Sequence, residues 1–468
     1  MDRALTRRSL LGLALVGAAG ALAACGPAPS APTEAPPQPA APGTPAAAAR
    51  PEGTRPAEAP KPAAAPGTKP GATVQFWFNG GRLWEDFYNQ KLLPKYYTDH
   101  PGVEVQLTSL ASWDDQYNKL ITATAGGAPP DFSRNKDFWT PDFAARGALE
   151  VMDPYLQKQT DIAPEKYLKG AWSTTQWEGK TVALPLHVFA RGIHLNDELF
   201  QKAGLADPSG RAKAPDTWDE YTQVAQKISK PDENVWGTML YSYQGNEDLV
   251  NHFQYMLVAA GGRYMSEDNT KFLFNSPEGV ETVEYQIDQI QKKACLPPGV
   301  STNQAIESGR VGIWWGSAFN FPELARNAPK LKYSHSVAPK KKTRGGILRG
   351  NHMPLYKASK NKDAAWTFMS WHQLPDNAYL YAQTASYLMP RLELKDRPLY
   401  GSDENWKQVS RQFYDADNQP QPMFPGYVES SFKLGSHLME AYLGKKSAKQ
   451  ALADGEKDAV DVLRQFKR

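Results

Sequence analysis

The sequence predicts a layered α/β protein in two lobes, and three observations carry that expectation. A folded body from about Ala72 to Arg468 is 397 residues long, more than one hydrophobic core usually serves. Its first elements alternate as strand, helix and strand. Its later helices carry strong start signals and an apolar stripe.

Thr73 to Phe78 and Val103 to Leu107 have the length and composition of short strands. Between them Trp84, Phe87, Tyr88 and Leu92 repeat at helical spacing within Trp84 to Tyr97, so the unit predicts a strand, a crossover helix and a second, parallel strand. Further on, Thr217-Trp218-Asp219-Glu220 is a capping box, in which the Thr217 hydroxyl and Glu220 carboxylate satisfy free backbone N–H groups. Tyr221, Val224, Ala225 and Ile228 then form one apolar face. Ser276-Pro277 supplies a cap and an N1 proline, with Val280, Val283, Ile287 and Ile290 as the expected buried side.

The N-terminus predicts a location. Arg3, Arg7 and Arg8 form a basic start, Leu10 to Leu22 is apolar, and Leu22-Ala23-Ala24-Cys25 closes the segment as a bacterial lipoprotein signal does. The apolar run is too short to be a good spanning helix. Thr6-Arg7-Arg8-Ser9-Leu10-Leu11 also resembles a twin-arginine export signal, and the ordinary secretory route stays open beside it. Residues 1–24 are therefore expected to be a signal peptide and Cys25 the lipidated first residue of an extracytoplasmic, membrane-anchored protein. Residues 25–71 hold 14 of the 38 prolines, with Ala, Gly and Thr around them, too little apolar surface to fold. Such a tether reaches at most ~140 Å at ~3.1 Å per residue.

Charge and motifs exclude several function classes. The whole chain is +3 and the signal contributes +2, leaving +1, with no nucleic-acid signature. Lys340-Lys341-Lys342-Thr343-Arg344 is a local basic run, either a solvated loop or a docking surface for an acidic partner. With Cys25 lipidated, no intramolecular disulfide is expected, and Cys295 reads as an inert, partly buried thiol. The eight histidines lack metal-ligand spacing, and no Gly-x-Ser-x-Gly elbow or phosphate loop occurs, so neither a cofactor nor an enzymatic activity is expected. Asp137 and Glu247 are the carboxylates that a glycan-active enzyme would need as a pair.

Eight local patterns occur in one order along the body. They are Trp77-Phe78-Asn79-Gly80-Gly81-Arg82, Ala125-Gly126-Gly127-Ala128-Pro129-Pro130-Asp131, Gly179-Lys180-Thr181-Val182-Ala183-Leu184-Pro185, and the run from Leu195-Asn196-Asp197-Glu198 to Leu205. Pro215 to Glu220, Gly309 to Ser317, Ser359 to Trp366, and Leu388-Met389-Pro390-Arg391 follow. Together they resemble the extracellular solute-binding proteins of carbohydrate ABC transporters, the maltose-binding-protein-like family. The resemblance implies a periplasmic-binding-protein-like fold, with a ligand cleft between discontinuous lobes and a hinge of two or three crossing segments. Lobe 1 is expected at 72–188 plus 340–385, and lobe 2 at 189–339 plus 386–468. The crossing candidates are Pro185 to Arg191, Val337 to Pro339 and Thr384 to Tyr387. Expected partners are a carbohydrate and the permease subunits of an ABC transporter, bound by a monomer. Two-lobed relatives also carry polyamines, iron, peptides or phosphorylated glycerol, so the solute class stays open.

A sugar binder needs planar hydrogen-bonding groups for hydroxyl edges and aromatic rings for the flatter C–H faces. In an open α/β sheet the ligand lies beyond the strands' carboxyl ends, which selects Trp77, Asn79 and Arg82 after the first strand. Arg82 matches a family contact position and equally suits a surface arginine. Asn135 and Asp137 follow Pro130-Asp131; Asp137 accepts two hydroxyls or serves a turn. His187 is read as a neutral hydrogen-bonding residue. Tyr243, Gln244 and Glu247 combine a ring with amide and carboxylate groups. Trp314, Trp315 and Gly316 end a strand on which one tryptophan points to core, which one being undecided. Asn351 and Tyr427 are further candidates. Arg82, Arg134, Arg191 and Arg349 would suit the carboxylate of an acidic sugar.

Overall fold

The computed structural model describes residues 71–240, 246–298 and 300–466. The signal, Cys25 and the tether lie outside the described residues, as do Tyr243 and Gln244. Strand β1 (Ala72–Asn79) buries Val74, Phe76 and Phe78 on one face and runs parallel to β2 (Val103–Leu110), with Ala72 opposite Val103. The chain between them is helical, beginning with α1 (Gly81–Phe87) and passing through a π-turn at Tyr88–Leu92 into Leu93–Asp99. Pro94 has no N–H for the carbonyl of Gln90, and the widened turn falls just ahead of it. Trp84, Phe87, Tyr88 and Leu92 are all buried, as their spacing predicts, and Tyr88 meets Phe76 edge-on at 5.1 Å. Full burial of a side chain such as Phe76 contributes roughly 2–3 kcal/mol.

After α2 (Trp113–Ala125), β3 (Phe132–Ser133) adds to the other edge of β1 in parallel. One residue later, β4 (Asn135–Lys136) begins, and β5 (Ala183–Phe189) follows. Residues 190–191 then connect β5 to β6 (Gly192–Asn196), which belongs to a second sheet. That sheet is completed by β7 (Trp236–Thr238), β8 (Val311–Gly316) and β9 (Tyr333–Ser336) in the order β9-β6-β8-β7. Residues 337–346 lead back to β10 (Ile347–Pro354), antiparallel to β5 on one side and to β4 on the other. A short β11 (Gln419–Pro420) pairs with the start of β10. A third link returns at Leu388, which bridges Val188 of β5 just after Ser386 enters the left-handed region at φ 54°.

Helices cover both sheets: α3 (Trp218–Ile228), α4 (Asn246–Ala259), α5 (Pro277–Gln291), α6 (Lys362–His372), α7 (Pro375–Ala385), α8 (Glu404–Tyr414), α9 (Tyr427–Tyr442) and α10 (Ala448–Gln465). The α3 cap differs from the expected box in one bond. Thr217 Oγ1 accepts from Glu220 N at 3.2 Å, but the Glu220 carboxylate accepts from Asp216 N, one residue ahead of the cap, at 2.7 Å. Ser276 caps α5 as predicted, while the helix is turned relative to the expected stripe. Gly279, Thr282, Val283, Gln286 and Gln289 are buried, and Val280, Ile287 and Ile290 are half-buried. The cause is a close backbone approach: a Cβ on Gly279 would stand 1.9 Å from the Phe274 carbonyl oxygen. Gln286 faces inward because Tyr442 Oη donates to it at 2.7 Å.

The basic run is a strap along the second sheet's helices. Lys340 pairs with Asp216 at 2.9 Å, Lys341 with Glu281 at 3.1 Å and Lys342 with Glu278 at 3.2 Å, and Arg344 also reaches Asp216. Its cations already have carboxylate partners within the chain, so it does not present a bare basic surface.

Candidate functional site

The carboxyl ends of β1, β3 and β4 converge on the paired β5 and β10, and the polar and aromatic residues of the chain gather there. Arg134 occupies the single residue between β3 and β4, tied by its N–H to the Trp77 carbonyl at 2.9 Å. Its side chain is only 2% exposed and lies over the rings of Trp84 and Trp113, at 4.3 and 5.1 Å. Nε donates to Asn351 Oδ1 at 3.0 Å, and Nη1 donates to the Asn79 carbonyl at 2.9 Å. Both acceptors are neutral.

Arg191, in the link between the sheets, is buried in a second aromatic box. Its guanidinium lies 5.2 Å from the Phe319 ring, 5.6 Å from Tyr255 and 5.7 Å from Phe189, and Nε donates to Tyr255 Oη at 3.2 Å. Tyr387 joins the two boxes, with its ring 6.3 Å from Trp84, 5.9 Å from Phe319 and stacked on His187 at 3.8 Å. His187 Nδ1 bonds with Tyr381 Oη at 2.8 Å. Burial, then the nearby Arg134 charge, holds the imidazole well below its ordinary pKa, so it is neutral near pH 7.

A third group is ionic. Glu247, in the first turn of α4, pairs with Lys136 of β4 at 3.2 Å and with Arg349 of β10 at 3.3 Å. Burial pushes its carboxyl up, but Lys136 and Arg349 together hold it below the usual range. Asp137 accepts from Gly350 N at 2.6 Å and from Phe138 N at 2.9 Å. Burial raises its pKa to about 6, against the opposing pull of Arg349 and these two bonds. Asp248 is also raised, by burial and then by Glu247. Tyr427 lies beside this group, its buried ring 4.8 Å from Phe138 and its hydroxyl 3.3 Å from Gln254 Oε1.

The structure therefore brings Asn79, Asp137, His187, Glu247, Asn351 and Tyr427 into one seam, with Trp77 half-buried alongside. It places other expected residues elsewhere. Arg82 is 90% exposed on α1 and pairs with Asp86 at 3.5 Å, a solvent-side ion pair. Asn135 points inward, where it bonds Ser133 at 2.7 Å and Tyr356 at 3.2 Å. Trp314 and Trp315 do take opposite faces of β8, yet both are 2% exposed because helices cover both faces. Gly316 serves packing: a Cβ there would stand 2.3 Å from the His194 ring.

The ring that meets the seam is Phe319, three residues past the end of β8 and half-buried. An aromatic residue following the Gly316-Ser317 strand end was the available signal. Trp113 and Phe189 carry no local sequence signal for the site, and the spacing of Trp84 marks only a buried face, because helical spacing says nothing of proximity to a strand end. A surface depression of about 350 Å³ lined by Tyr155, Lys158, Gln159, Asp363, Trp366 and Thr367 lies away from the convergent strand ends. Among the described residues no group of three His, Cys, Asp or Glu side chains could hold a metal ion, and no helix is long and apolar enough to cross a membrane.

Comparison with known proteins gives this arrangement a context. A sequence profile of the family described as bacterial extracellular solute-binding protein matches residues 83–379. A Brucella abortus protein, named no further than as a binding protein, is 24% identical over 386 residues, covering 81% of this chain and 90% of the relative. The maltotriose-binding protein of Pyrococcus abyssi is 24% identical, covering 80% of this chain and 74% of its own length. Among solved structures, a Thermotoga lettingae ABC transporter solute-binding protein bound to α-D-tagatose superposes with a TM-score of 0.73 at 23% identity, covering 84% of this chain and all of that one. The cyclic α-maltosyl-1,6-maltose binding protein of Arthrobacter globiformis gives 0.73 at 22%, covering 84% and 99%. These structures have two-lobed solute-binding folds, in keeping with the mixed α/β architecture here.

Proposed function

Because the chain belongs to the bacterial extracellular solute-binding protein family, we propose that it captures a sugar or oligosaccharide by closing two lobes on it and delivers it to the permease of an ABC transporter. The observation that carries the solute class is the seam itself. Trp84, Trp113, Phe189, Phe319 and Tyr387 offer ring faces where the strand ends converge, and Arg134, Asn351 and Glu247 add hydrogen-bonding groups. Rings of this kind match the C–H faces of a pyranose and polar edges match its hydroxyls. The relatives named for maltotriose and cyclic maltosyl-maltose support the same class.

Lobes at 72–188 plus 340–385 and 189–339 plus 386–468 fit the three links between the sheets, and a hinge there would open the seam into a cleft. The relatives and structural neighbours are binding proteins, which supports a receptor over an enzyme. The Cys25 signal and the proline-rich tether support lipid anchoring at the outer face of the membrane.

Titration calorimetry of the purified protein against a panel of neutral and acidic oligosaccharides tests the function. The expected result is saturable, stoichiometric binding with no new product in chromatography, and a thermal shift that grows with ligand concentration. A response to polyamines or peptides and to no sugar would defeat the carbohydrate assignment. Cys25→Ser should release the protein from the membrane into the surrounding fluid; retention there would remove the anchor from the proposal.

A further inference from the structure

We infer that the cleft takes a sugar carrying a negative charge, whose anionic group is met by Arg134 with Arg191 on the other side of Tyr387. The inference rests on the sugar-binding reading above and narrows its substrate class.

Arg134 carries the argument. Among the described residues it makes no ion pair, although it is almost wholly buried. Its guanidinium donates to an amide oxygen and a main-chain carbonyl, neither of which bears a charge. A guanidinium cannot shed its proton at any ordinary pH, so it keeps a full positive charge in a site poor in water. Two indole rings partly compensate, as cation–π contacts do, and they also fix the plane of the fork. A fork held flat in this way is shaped for the two oxygens of a carboxylate or phosphate.

The surroundings point in the same direction. Burial raises the Tyr387 pKa against the opposing pull of Arg134 and Arg191, and Arg134 adds to the burial that lowers His187, so both cations act on one small region. His187, an imidazole that is neutral near pH 7, gives Arg134 no counter-charge. The nearby carboxylate Glu247 is already shared by Lys136 and Arg349, and Asp137 spends its oxygens on two backbone N–H groups. Burying a charge without a counterion is costly, and a ligand anion would remove that cost on binding. Aromatic faces beside the guanidinium would at the same time stack on the sugar ring.

The test uses the full chain in detergent and matched ligand pairs that differ only in charge. These are galacturonate, glucuronate and mannuronate oligomers against their neutral counterparts, with hexose 6-phosphates as a separate arm. At least one acidic member should bind tenfold or more tightly than its neutral partner, the usual scale of a charge-assisted bond, and the preference should shrink as salt rises. Preference for the uronate or for the phosphate ester tells which anion the site takes. Neutral members binding as well as or better than acidic ones would overturn the inference while leaving the sugar reading intact. Binding by no member would sink both.

Arg134→Gln should abolish the acidic preference, and Arg134→Lys should restore only part of it, since lysine keeps the charge without the fork. An undiminished preference in Arg134→Gln would overturn the role of this residue. If that variant does not fold, the wild-type pairs still decide.

Discussion

Two buried arginines, Arg134 and Arg391, show how one residue type serves two ends. Arg391 is 1% exposed, and its terminal nitrogens are engaged by the carbonyls of Gln373 at 2.8 Å and Asp161 at 2.9 Å, with Glu393 at 2.6 Å. Its charge is met by a carboxylate of the same chain, and its fork ties three separate segments together. Arg134 is buried to the same degree but has only neutral acceptors and indole faces. The first guanidinium completes a fold. The second leaves a charge to be answered by something else.

The sharpest break in this contrast is Arg391→Met. Removing the fork strands the buried Gln373 carbonyl and unties Asp161 and Glu393, and should cost about 3 kcal/mol in urea unfolding, an unsatisfied buried group alone contributing roughly 1–3 kcal/mol. Ligand preference in the surviving folded protein should not change; a shift in acidic preference would blur the distinction between the two arginines.

Next is a pH effect at Asp137. Its folded pKa, about 6, is above that of an unfolded aspartate, so the native state holds a proton the unfolded chain has lost. The associated stability is fully present below about pH 4 and disappears as pH rises through about 6. Wild type should therefore lose on the order of 2 kcal/mol relative to Asp137→Asn between pH 4 and 7. Parallel stability curves for the two proteins would remove the predicted burial penalty.

Phe319→Ala probes the seam from the β8 side. Affinity for the bound sugar should fall about tenfold, since an aromatic contact is worth ~0.5–1.5 kcal/mol beyond its area, with less effect on melting because the ring is only half-buried. Equal affinity in calorimetry would take Phe319 out of the site. The smallest effect belongs to the strap. Lys341→Ala with Lys342→Ala breaks two solvent-exposed ion pairs and should shift stability by about 1 kcal/mol or less. Transport assays in whole cells should show the double variant close to wild type.

Much of the architecture was legible because it is written in near neighbours. The parallel β1–β2 unit, the Ser276 cap and the buried faces of α1 and α3 all follow from residues a few positions apart. The α5 buried face departs from the hydrophobic spacing because Gly279 packs against a carbonyl that such spacing does not register. The site was legible in outline, since strand ends select a region. Its individual residues were less so. Trp314 and Trp315 are aromatic rings at a strand end, yet a central strand covered on both faces hides them, and the half-buried Phe319 lies beyond the turn.

The sequence by itself determined the class of fold, the order of its elements, the expected lipid signal and the family resemblance, because each depends on local pattern or on the succession of patterns. Only the tertiary structure decided which buried charges are balanced. Arg134 and Asn351 meet across 217 positions, and Lys136 meets Glu247 across 111. Electrostatic pairing depends on distance in space, and no local spacing records which arginine finds a carboxylate and which is left facing the seam.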